Sequence, residues 1–164
     1  MPAGSTYTPI ATTTISSSTA SYTFSSIPST YTDLVLIIGG KNTATDQGIV
    51  VQVGNGSVDT GTNYSTTYIL GDGANASSGR DTSGTYAIVG RMDGTASTSI
   101  VHFMNYSNTT TNKTILGRGN DGTYVIQHVS LWRSTSAINT IKVYNLSSVN
   151  FSVATLTLYG IASA

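Results

Sequence analysis

Two histidines, seven aspartates and no cysteine or glutamate make up the chain's stock of common acid–base and thiol groups. Nucleophilic catalysis would pair a histidine with a serine and an aspartate. His102 lies between Val101 and Phe103, and His128 between Gln127 and Val129, so both sit inside strand-like stretches. Serines are abundant, but no Gly-x-Ser-x-Gly elbow accompanies them. The pair reads as hydrogen-bonded sheet histidines. Gly71-Asp72-Gly73-Ala74-Asn75, with Asp81 beyond it, offers oxygen ligands. A calcium loop needs more carboxylates and a bidentate glutamate, so this stretch reads as turn chemistry. Glycoside hydrolysis needs a carboxylate pair, which only aspartates could supply here. We expect no catalytic residue, no metal and no cofactor.

Recognition is the other chemistry available. Arg80, Arg91, Arg118 and Arg133 fall in loops or near strand ends, where planar bidentate bonding suits an interface. Tyr7, Tyr64 and Tyr106, with Tyr31 and Tyr68, fall in turns or at strand ends and could stack on sugars; cross-strand packing is the competing role. These four arginines with Tyr7, Tyr64 and Tyr106 are the expected interface residues. Eight asparagines head Asn-x-Ser/Thr triplets, as a chain this rich in hydroxyls produces readily.

The elements that position these residues are read from pattern. Tyr31–Gly40 holds the longest apolar run, Leu34 to Ile38, stopped by Gly39-Gly40. It reads as a strand near the middle of a sheet and covered on both faces. Pro28 and the serines before it suit a corner leading into it. Further strands are expected at 8–16, 21–27, 48–53, 63–70, 85–91, 97–106, 113–118, 123–133, 138–145 and 153–161, about eleven in all. Residues 71–84 read as the longest loop, and Asp93-Gly94 as the turn of a hairpin. Leu34, Leu36, Trp132, Leu156 and Leu158 are the expected core. The spacing, near eight to twelve residues, is that of an all-β antiparallel sandwich. Strand number favours a jelly-roll-like form over an immunoglobulin-like one. The expected organisation is one domain at 7–164 behind a short arm at 1–6.

Composition agrees. There are 28 threonines and 23 serines in 164 residues, against 14 charged side chains. Helix surfaces draw on Glu, Lys, Gln and Arg, whereas threonine, valine and tyrosine fit a pleated sheet. Net charge is zero and no basic block suggests nucleic acid or a membrane surface. No run approaches the ~20 apolar residues of a membrane helix, and no leader pattern is visible. Small hydroxyl side chains lose little rotamer entropy when covered, so this surface favours burial against partners and self-association into a homo-oligomer.

The segments YTPIATTT (7–14), SYTFSSIPSTYTDLVLII (21–38), NYSTTY (63–68), HFMNYSNTTTNKT (102–114), LWRSTSAINTI (131–141) and LTLYGI (156–161) carry a family resemblance. Together they resemble the small β-rich virion structural proteins of tailed bacteriophages, notably those infecting marine and freshwater cyanobacteria. The likeness runs through nearly the whole chain in order and rests on strand-like strings. It implies a jelly-roll-like domain in a virion, made in the host cytoplasm, with other virion proteins as partners, the major capsid protein foremost. A first strand beginning near Thr8 leaves little room for a fibre shaft, which favours a capsid decoration or cement protein. The alternative is a tail-fibre or adhesin tip module that binds a host surface glycan.

Overall fold

The computed structural model describes residues 6–44 and 46–162. The expected arm at 1–6 therefore lies outside the described residues except for Thr6, whose carbonyl accepts a hydrogen bond from the Ala162 amide. The described residues contain thirteen strands and no helix: β1 Tyr7–Ile15, β2 Ser21–Phe24, β3 Asp33–Asn42, β4 Gln47–Asn55, β5 Ser57–Val58, β6 Tyr64–Gly71, β7 Ala76–Gly84, β8 Ala87–Met92, β9 Ser97–Met104, β10 Lys113–Asn120, β11 Val125–Trp132, β12 Thr140–Asn145 and β13 Phe151–Ile161.

All ladders are antiparallel, and they form two sheets. The larger runs β1-β13-β3-β9-β10-β11-β6-β7. The smaller runs β2-β12-β4-β5, with β8 also paired to β4. Within these orders lies an eight-stranded jelly roll: β1-β13-β3-β9 faces β2-β12-β4-β8, the arrangement made by two Greek keys. Two insertions decorate it. Strands β5 to β7 lie between β4 and β8, and β10 and β11 between β9 and β12. Four of these inserted strands lengthen the larger sheet beyond β9.

Alternation decides what fills the space between the sheets. On β3, Leu34, Leu36 and Ile38 are fully buried; on β13, Leu156 and Leu158; on β4, Ile49, Val51 and Val53. Trp132 is also in the core, so the five expected core residues are buried. Strand β3 sits inside its sheet, between β13 and β9. Its second face differs from expectation: Val35 is buried, flanked in register by Tyr159 and His102, but Ile37 is partly exposed and no second layer of strands covers it.

Two other expectations are corrected. Residues 71–84 are not one loop, because Ala76–Gly84 forms β7, paired along β6. Asp93-Gly94 is a turn but not a hairpin: β8 pairs with β4, and β9 with β3 and β10. The turn carries the chain from one sheet to the other. Its local chemistry is an Asp93 carboxylate accepting from the Thr95 amide at 2.8 Å, which serves either kind of connection.

The extension is held to the jelly roll by β8. The Ile88 amide donates to Thr66 Oγ1 on β6 at 3.3 Å, and the Ile88 carbonyl accepts from Ser130 Oγ on β11 at 3.1 Å. The two hydroxyls bond each other at 2.7 Å. Between them Gly117 of β10 faces the Val89 backbone so closely that a Cβ there would stand 2.6 Å from Val89 Cα. Backbone on backbone leaves neither partner a rotamer with which to yield. Gly117→Ala should therefore lower the free energy of unfolding by about 1–3 kcal/mol, the cost of overpacking a filled interior. Gly71→Ala, whose Cβ would meet its nearest neighbour at an ordinary 3.7 Å, should change it little. Urea denaturation of the two variants measures the contrast.

Candidate binding surface

Register places the outward side chains of the extended sheet in rows. One row reads Ile37, Ile100, Arg118, Gln127, Ile69 and Ser78 across β3, β9, β10, β11, β6 and β7. The next reads Val35, His102, Leu116, Val129, Thr67 and Arg80. Large aliphatic side chains stand exposed here: Ile69 at 60%, Val125 at 73% and Val129 at 46%. Around Ile69, Ile100, Arg118, Val125 and Gln127 the surface forms an open groove of about 920 Å3. Exposed apolar side chains grouped in this way mark contact surfaces more than they mark catalytic centres.

The expected interface residues divide. Arg80 and Arg118 are exposed on this outer face. Arg91 is not available: its guanidinium pairs with Asp46 through two contacts, lies 3.4 Å from Asp121 Oδ2, and stacks over the Tyr124 ring at 4.8 Å. Arg133 is exposed but spends a nitrogen on the Thr62 carbonyl at 2.5 Å. Tyr7 is half exposed, with its ring edge-on to Tyr159. Tyr64 and Tyr106 cannot be surface contacts, because both are fully buried. Their hydroxyls explain why burial is tolerated. Tyr64 OH donates to Val53 O or Asp59 O and accepts from the Val53 amide; Tyr106 OH donates to Pro28 O. Burial raises the pKa of both phenols.

No constellation of reacting groups forms around the histidines. His102 faces outward on β9 and His128 inward on β11, so they stand on opposite faces of one sheet. Among the described residues no three His, Cys, Asp or Glu side chains gather as a metal cage requires. Asp72, in the expected oxygen-ligand loop, accepts from the amides of Ala74 and Asn75 at 2.9 and 2.6 Å, and these bonds hold its carboxyl below the usual range. Asp59 is also lowered: burial opposes its ionisation, but donors from Trp132, Asn63 and Gly61 outweigh it. Lys113 is buried with its ammonium on the carbonyls of Thr111 and Thr135 at 2.7 and 3.2 Å, and burial lowers its pKa.

The groove escaped detection in the sequence because its side chains come from different strands. Ile69, Ile100 and Val125 mean nothing together until register aligns β6, β9 and β11. The available signal was an aliphatic residue on the polar parity of its strand, as Ile69 is among Ser65 and Thr67.

The class these features define is an antiparallel β-sandwich of jelly-roll topology with one lengthened sheet. No family model matches the chain, and no curated protein matches it. Among solved structures it is similar to a fructosyltransferase from A. japonicus, at 10% identity and a TM-score of 0.41, covering 96% of this chain and 26% of that one. An exo-inulinase from Aspergillus awamori matches at 15% identity and 0.42, covering 94% of this chain and 29% of that one. An alginate lyase variant in complex with alginate tetrasaccharide matches at 12% identity and 0.32, covering 82% of this chain and 72% of that one. The chain thus spans under a third of the first two enzymes. At these values nothing about its chemistry follows from theirs.

His128 gives this region a pH signature. The ring is 4% exposed, its Nδ1 has no hydrogen-bond partner, and it lies 5.7 Å from the Tyr68 ring. Burial, aided by the nearby Arg91 charge, pushes its pKa down from 6.5 to about 4. Above pH 6.5 folded and unfolded chains both carry the neutral ring. As pH falls from 6.5 toward 4 the unfolded chain takes up a proton that the folded one refuses, so stability falls through that window. The loss should reach about 3 kcal/mol at its lower end. His128→Gln should flatten the slope between pH 6.5 and 4, measured by denaturant titration at a series of pH values.

Proposed function

We propose that this protein is a non-catalytic structural module of a tailed-phage virion, a decoration protein that binds and stabilises the capsid shell. The observation that carries the reading is the exposed aliphatic groove, on a sheet face whose few charged side chains include Arg118 and Arg80. A surface of small hydroxyls and aliphatic side chains buries with little loss of rotamer entropy and few desolvated charges. Jelly rolls recur in viral capsids, though also in lectins and enzymes, so topology supports the reading without choosing it. The resemblance to phage virion proteins favours it. Symmetric copies on a shell would multiply a modest contact by avidity, and self-association is part of the same reading.

The fibre-tip alternative has less to stand on. Sugar rings stack on exposed aromatic faces, yet Tyr64 and Tyr106 are buried and no aromatic residue lines the groove.

The test is to purify particles lacking the protein and add it back at low and high salt. We expect saturable occupancy, greater heat resistance of the particle, and only modest weakening at high salt, because few charges take part. A chain that stays monomeric at high concentration, leaves the shell bare and does not alter heat resistance would sink the reading.

A further inference from the structure

The outer face has a charge imbalance that specifies its occupant. Among the described residues three cations have no ion pair, hydrogen bond or ring contact: Lys41, Arg80 and Arg118. All three are exposed and lie on the outward parity of the larger sheet, on β3, β7 and β10. The other four cations are engaged: Arg91 with Asp46, Arg133 and Lys113 with carbonyls, and Lys142 over the Tyr144 ring.

The carboxylates show the reverse. All seven accept bonds from their own chain. Asp33 accepts from the Asn105 amide and Asp46 from Arg91. Asp59 holds Trp132, Asn63 and Gly61, while Asp72, Asp81, Asp93 and Asp121 each accept from amides two or three residues on. A second copy of this chain would bring only aspartates that already accept bonds from their own turns and loops, so a partner whose carboxylates are free fits the face better.

We propose that the groove receives an extended segment of a different protein, one that alternates pairs of aliphatic with pairs of acidic side chains, so that its groove-facing positions carry both. The aliphatic side chains would cover Ile69, Ile100 and Val125, and a carboxylate would meet Arg118 on the groove floor. Arg80 stands one row further along β7, placed for a second carboxylate. The floor runs from β7 to β9, four inter-strand spacings or roughly 19 Å, which about six extended residues span. An aliphatic floor without aromatic rings suits polypeptide side chains better than sugar hydroxyls. The inference rests on the reading of the protein as a binding module, and names its partner chemistry.

Fluorescent octapeptides test it, one repeating Val-Val-Asp-Asp and one repeating Val-Val-Lys-Lys, alongside an alginate oligosaccharide as an anionic glycan. The aspartate peptide should bind the intact protein at least tenfold tighter than the lysine peptide, by anisotropy. Arg118→Glu should lose that preference and Arg118→Lys keep most of it. Val125→Asp, at an exposed position, should weaken binding of the aspartate peptide without loss of fold by circular dichroism. Equal affinity for the two peptides, no binding of either, or alginate bound in preference to both would overturn the proposal. Particle add-back separates this from the virion reading. If Arg118→Glu coats the shell as well as the unaltered chain does, the groove proposal falls and the decoration reading stands.

Discussion

The lengthened sheet depends on one contact, the backbone of β8 laid against β10 and β11. A jelly roll needs only four strands in each sheet, and the inserted strands β10, β11, β6 and β7 would otherwise project past their cover. Strand β8 lies against β10 and β11 over most of that inner side, and β4 reaches β6 through Val53, whose amide and carbonyl bond the Tyr64 hydroxyl. Strand β8 packs there without bulky side chains: Gly117 admits the Val89 backbone, and Thr66 and Ser130 satisfy the amide and carbonyl of Ile88. Buried backbone groups must find partners, and here the facing sheet supplies them through side-chain hydroxyls. The abundance of Ser and Thr thus has a structural use inside the fold as well as a surface one.

The same contact accounts for the exposed outer face. Because β8 closes the inner side of the extension, His128, Ser130 and Ile126 are buried there, and the outward parity of the same strands is left uncovered. Successive residues on a strand point to opposite faces, so filling one side determines what the other presents. Val125, Gln127 and Val129 are the outward alternates of that buried set. Along β6 and β11 that outer parity carries Ile69, Val125 and Val129 exposed, whereas on β3 Val35 is covered by its in-register neighbours.

Much of this was legible in the sequence, and the parts that were not share a cause. The run at Leu34–Ile38 announced a core strand, and alternation placed Leu156 and Leu158 inside, because each signal lies within one strand. Strand β7, ASSGRDTSG, has the composition of a loop. It is an edge strand paired on one side, with most of its side chains exposed, so its backbone ladder to β6 makes it a strand and no apolar alternation marks it. The Asp93 turn suggests a hairpin because an Asx-type turn is local, whereas the sheet each flanking strand joins is a long-range matter. Tyr64 and Tyr106 stand at strand ends, which are commonly exposed, yet both are buried. Their burial depends on carbonyls of Val53 and Pro28 that only the folded chain brings near.

The distribution of charge follows from the same division between local and long-range structure. Aspartate is this chain's only acidic side chain, and its short carboxylate readily bonds amides two or three residues away. Asp72, Asp93 and Asp121 do this in turns, which makes acidity here a tool of loop geometry. Arginine and lysine have longer side chains: Lys113 and Lys142 find local partners in the Thr111 carbonyl and the Tyr144 ring, whereas Arg91 and Arg133 find theirs on other segments. Strands β3, β7 and β10 provide none on their outer parity. A chain whose formal charges sum to zero therefore presents a cationic face. That asymmetry gives direction to a groove whose aliphatic floor would otherwise accept almost any apolar partner, since hydrophobic contact supplies affinity and charge complementarity supplies the choice of partner.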